Sequence, residues 1–117
     1  MFIIKAFGEG ENVKIYNILL NSSLGKKTGQ LCARIKNGEL SGYLSLLGHT
    51  EPIKGTVDES GHCSFTGKLI TLLRAIDFTA VGTISGDVIS FRLTGNYGVY
   101  QLIGSLCHDL SDKKVTV

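Results

Sequence analysis

From Lys26 to Leu106 apolar and polar residues alternate with period two in one short run after another, while helical periodicity is hard to find. Leu31, Ala33 and Ile35 share one face of the first clear run, with Gln30, Cys32 and Arg34 on the other. Asn37-Gly38 then supplies a tight hairpin signal, because both residues tolerate the positive φ of a type I′ turn. Leu40, Gly42, Leu44 and Leu46 return on the next run, and Ile53, Gly55 and Val57 follow a loop containing Gly48-His49 and Pro52. Ser60-Gly61 leads into the longest run, in which Cys63, Phe65, Gly67, Leu69, Thr71 and Leu73 face together. Phe78, Ala80, Gly82 and Ile84 come next, then Ser85-Gly86-Asp87, then Ile89, Phe91 and Leu93. Asn96-Tyr97-Gly98 precedes a last strand near Val99 to Leu106, and Val13 to Asn21 forms the first. Connections this short permit antiparallel neighbours and exclude βαβ crossovers.

Glycine recurs inside these runs, at Gly29, Gly42, Gly55, Gly67, Gly82, Gly95 and Gly104. Its spacing is that of one glycine per strand and turn. Glycine weakens a flat strand, so its recurrence there implies bends or close backbone approaches. A narrow barrel requires such coiling. The expected fold is all-β, an antiparallel up-and-down meander of about eight strands closed into a small barrel.

The chain has 117 residues, enough for one domain with its own core. A single barrel domain is expected over 1–117, its core about 13–106, with 1–12 and 107–117 flanking. Formal net charge is +2 and the lysines are scattered, which is far from the basic stripe that a nucleic acid needs. No run approaches the length of a membrane helix, and Lys5 interrupts Phe2-Ile3-Ile4 too early for an export signal. Neither nucleic acid nor membrane is an expected partner. Cys32, Cys63 and Cys107 are odd in number and far apart, which fits reduced thiols in a cytoplasmic protein.

No motif assigns a reaction. His62-Cys63 and Cys107-His108 mix metal-competent side chains, but neighbours on a strand point to opposite faces, so no metal site is assigned. His49 falls in the loop after Gly48. Glu39, Asp58, Glu59, Asp77 and Asp87 cluster at turns, where carboxylates serve turn chemistry and solubility. No catalytic residue or cofactor is expected. Arg34, Tyr43, Arg92 and Tyr100 are hydrogen-bonding side chains in mid-strand and are the candidate ligand-binding residues. Alternation sets Arg34 and Arg92 opposite their apolar neighbours, which also suits an outer face with the arginine stems lying on apolar surface. Tyr16, Ile18, Leu20, Leu47, Ile70, Leu72, Val81, Tyr100 and Leu102 fall on the register opposite the main apolar set. Either a further surface is buried, by oligomerisation or by an N-terminal segment packed outside, or the strand registers slip at bulges; a homo-oligomer, a dimer, is expected.

Leu40-Ser41-Gly42-Tyr43-Leu44 and the hairpin from Phe78 to Asp87 resemble the small lipocalin-like, calycin-type meander barrels. The resemblance spans roughly Val13 to Leu106 and is one of pattern. It implies an eight-stranded barrel with an internal site for a small apolar ligand. A structural or interaction module acting through homo-oligomerisation is the alternative, and a barrel isomerase or cyclase the third reading.

Overall fold

Hairpin chemistry sets the strand order. A computed structural model describes residues 12–22 and 25–109. It consists of β1 (Asn12–Ser22), β2 (Gly25–Lys36), β3 (Glu39–Leu46), β4 (His49–Val57), β5 (His62–Ile70), β6 (Ala75–Ser85), β7 (Val88–Gly95) and β8 (Gly98–Asp109). Each strand pairs antiparallel with the next, and β8 returns to β1, so the eight form a closed up-and-down barrel. Asn37 and Gly38 both take positive φ, 54° and 76°, between Lys36 and Glu39, as a type I′ turn requires. Gly86, at φ 60°, supplies the first central position of the Ser85–Val88 turn, as in type II′.

The β3–β4 turn breaks the usual chemistry. Leu47 (φ 56°) and Gly48 (φ 80°) also form a type I′ turn, with a leucine where asparagine or glycine is preferred. β4 therefore begins at His49, and His49 and Pro52 are strand residues rather than loop residues. A left-handed conformation costs an ordinary L-residue about 1–2 kcal/mol. Leu47→Asn should accordingly raise stability by about 1 kcal/mol, seen as a higher urea midpoint at unchanged m-value.

The apolar residues that alternation divided between two faces mostly form one core. Tyr16, Ile18, Leu20 and Leu102 are buried inside the barrel with Leu31, Leu40, Leu44, Phe65 and Phe91, and Tyr100 packs against that core from its edge. The inward set of β8 is Tyr100, Leu102, Gly104 and Leu106, the same parity as its mid-strand glycine. On β1 the register against β8 shifts between Ile15 and Tyr16. The extra residue is Cys107 of β8, since Ile15 faces His108 and Tyr16 faces Leu106, while β1 keeps one register against β2, with Tyr16 opposite the buried Leu31. Leu47, Leu72 and Val81 remain exposed, the first two in turns. The long run also ends early: β5 stops at Ile70, and Thr71 to Arg74 form a turn with Leu73 exposed.

Large side chains fill the interior. Phe65 meets Phe91 edge-on at 4.9 Å between ring centroids and Phe78 at 6.0 Å. The inward glycines make room for them. At Gly67 an added Cβ would stand 2.9 Å from the Phe78 ring, and at Gly104 it would stand 2.8 Å from Ile18. An eight-stranded barrel can be filled by its own side chains or can hold one small ligand, and the described residues follow the first pattern.

Candidate functional site

The wall of the barrel is weakest between β4 and β5. β4 follows β3 from Glu39↔Thr56 to Leu46↔His49, and β5 follows β6 from His62↔Thr83 to Ile70↔Ala75. Between themselves they pair only from Lys54↔Thr66 to Val57↔Cys63. Beyond Lys54 the two strands separate. Pro52 sits in this stretch for a physical reason. Counting from the closing pair Leu46↔His49, Tyr43↔Pro52 falls at a non-hydrogen-bonded position of the β3 ladder. The nitrogen of Pro52 therefore faces the β5 side, where no ladder partner needs a donor. Leu44, Leu46 and Leu69 lie together beneath the seam.

Outside, the separation forms a cleft of about 930 Å³ that crosses the strands from β3 to β7. Its apolar lining is the exposed Pro52 with the edges of the core residues Ile53 and Phe78 behind it. Its walls are hydroxyl and amide groups. Thr66, Thr79 and Thr94 form a continuous row across β5, β6 and β7, and Asn96 stands at the end of the cleft. Two cations, Lys54 and Lys68, are balanced by Glu51 and Asp77. The Lys68 ammonium lies 3.8 Å from the Asp77 carboxylate, and both are largely solvated.

A smaller recess lies at the β4–β5 turn. Asp58 Oδ1 accepts hydrogen bonds from the backbone N–H of Ser60 at 2.8 Å and of His62 at 3.0 Å. The bond from His62 is the main reason that the Asp58 carboxyl is held below its ordinary range. The His62 ring is 3.5 Å from Asp58 Oδ2. Among the described residues no group of three or more His, Cys, Asp or Glu is placed to hold a metal ion.

The four candidate ligand residues do not converge. Arg34 and Tyr43 are exposed on the outer wall of β2 and β3, and Arg92 is exposed on the outer wall of β7. Tyr100 is half-buried and packs against the core. Two titratable groups lie inside instead. Burial pushes the Tyr16 phenol up to about 12, with Asp109 and Asp87 adding to the shift. Burial also pushes the Cys63 thiol up to about 11. Both are neutral at physiological pH and closely packed, and sequence alternation alone gives no sign of the cleft between β4 and β5. No protein-family model matches the chain, and no curated protein matches it either.

Proposed function

We propose that the protein is a non-catalytic, lipocalin-like binding barrel whose ligand occupies the outer cleft between β4 and β5. The ligand class is a small neutral polyhydroxylated molecule such as a short saccharide. One observation carries this reading: a concavity of about 930 Å³ with an apolar lining, hydroxyl and amide walls and balanced charge. That volume is within the ~300–1,000 Å³ typical of small-molecule sites. A saccharide presents C–H faces to apolar surface and hydroxyls to flanking donors and acceptors, so its two kinds of surface match the two kinds of lining. Opposite charges in equal number favour no net charge on the ligand. The packing around Phe65, Phe78 and Phe91 draws the small-ligand reading from the interior to this outer surface.

Amide chemical-shift mapping with a panel of mono- and disaccharides, and with a fatty acid as the apolar comparison, tests the proposal. Saccharide-dependent shifts are expected at 51–54, 66–68, 77–79 and 94–96. Thr79→Lys, at an exposed position, should remove them without altering the fold. Shifts at Leu31, Phe65 and Leu102 on adding the fatty acid, with none from any saccharide, would replace this reading with an interior site for an apolar ligand.

A further inference from the structure

The meander gives the barrel two chemically different ends. One end carries the β2–β3, β4–β5 and β6–β7 turns, and Glu39, Asp58, Glu59 and Asp87 sit in or beside them with Lys36. The other carries the β1–β2, β3–β4, β5–β6 and β7–β8 turns. Lys26, Lys27, His49 and Arg74 stand in or beside these, and the turns contain no acidic residue. The first acids inward from this end are Glu51 and Asp77, the latter beside Lys68.

The exposed large apolar side chains concentrate at the same cationic end. Leu72 is 105% exposed and Leu73 85% exposed, and Leu47, Tyr97 and Val99 are exposed nearby in the fold. Leu72 and Leu73 are presented by an ordered turn. The Thr71 N–H donates to the Arg74 carbonyl at 2.9 Å, and Thr71 Oγ1 accepts from the N–H groups of Leu73 and Arg74 at 3.3 and 3.1 Å. Arg74 then lies 4.1 Å from the centroid of the Tyr97 ring, tying this turn to the β7–β8 turn. Leu47 adds a second broken rule, an apolar side chain held at positive φ at a hairpin tip. Leucines at tips, an aromatic ring beside them and cations around them make up the chemistry that enters a bilayer interface.

We infer that this end of the barrel docks on an anionic lipid surface, with Leu72 and Leu73 inserting at headgroup depth and Lys26, Lys27 and Arg74 facing the lipid charges. Charge complementarity selects this occupant, because cations near the surface attract anionic headgroups and, among the described residues, the turns of this end carry no opposing carboxylate. Surface docking requires no spanning segment. The outer strand surfaces carry Arg34, Lys54, Lys68 and Arg92, so the barrel wall stays in water while its end meets the membrane. The observations behind this inference are separate from the cleft, which runs along the wall and meets this end at Asn96.

Co-flotation of the full chain with phosphatidylcholine vesicles, with and without phosphatidylserine, tests it. Binding is expected to the phosphatidylserine vesicles and to fall with added salt. Leu72→Ser/Leu73→Ser should weaken it at least about tenfold while leaving the thermal melt unchanged, since both side chains are already exposed. Lys26→Glu/Lys27→Glu should weaken it as well. Absence of binding, equal binding to both vesicles, or binding unaffected by the leucine substitutions would overturn the inference. Sedimentation of the free protein covers the remaining outcome. An oligomer dissolved by Leu72→Ser/Leu73→Ser, with no vesicle binding, would reassign this end to contact between copies of the chain and overturn lipid docking.

Discussion

Gly55→Ala is expected to be among the most damaging single-methyl additions in the barrel, costing about 4 kcal/mol. A Cβ at Gly55 would stand 1.8 Å from the Ser64 carbonyl oxygen and 2.5 Å from Phe65 Cα. Both obstacles are backbone, so rotamer changes cannot relieve the clash. Gly55 is also paired with Phe65 in the short ladder that joins β4 to β5. Moving the strand to admit a methyl would lengthen the gap already open beyond Lys54. Gly67→Ala is the comparison. There the nearest atoms are side-chain ends of Phe78 and Ile53, which can shift, and overpacking of that kind costs about 1–3 kcal/mol. Urea unfolding should place Gly55→Ala well below Gly67→Ala. Equal midpoints would mean that β4 relaxes around the methyl and that the close approach does not hold the seam.

Glycine spacing and alternation made most of this architecture legible. Recurrent mid-strand glycine implies bends or close backbone approaches, and at Gly29, Gly42, Gly55 and Gly82 the approach is close: an added Cβ would meet a carbonyl oxygen of the neighbouring strand at 2.1 Å or less. Asn37-Gly38 was readable because its residues state their own dihedral preference. Leu47-Gly48 was not, since leucine hides a type I′ turn that the meander imposes on it. The faces of β1 and β8 were misassigned for a different reason. An extra residue at Cys107 shifts the register where β8 closes on β1, and alternation read strand by strand does not show which faces then meet. Once β1 and β8 close on each other, most of the apparent second apolar face turns inward.

The cleft was less accessible still. It arises where two strands stop pairing, and pairing length is a property of partners rather than of either sequence segment. Pro52 was a local trace of it, because proline in a strand marks a side without a ladder partner. Thr66, Thr79 and Thr94 read individually as outward β-formers, and only the register across β5, β6 and β7 aligns them. The leucine turn is visible as residues, but alternation alone carries it on as a strand. Continuing the alternation through Thr71 and Leu73 concealed that the Thr71 hydroxyl closes a turn with Arg74.

Above about pH 10 the barrel should lose stability steeply, and Tyr16→Phe should remove much of that loss. Tyr16 is fully buried, and its hydroxyl has no hydrogen-bond partner among the described residues. Burial holds its phenol at about 12, against 10.0 for a free tyrosine. Between those values the unfolded chain gives up the proton while the folded chain keeps it. Stability is therefore fully present below about pH 10 and is lost as the pH rises through 12, by about 3 kcal/mol from this group. Cys63, at about 11 against 9.0, adds a loss of the same sign that begins lower. Urea midpoints measured from pH 8 to 12 should fall more gently for Tyr16→Phe, with Cys63 leaving a residual slope. At neutral pH the same substitution should be neutral or stabilising by about 1 kcal/mol, because it removes a buried hydroxyl with nothing to bond to. A marked destabilisation at neutral pH would show instead that the hydroxyl is satisfied inside the barrel, and an interior polar site would then have to be sought beside Tyr16.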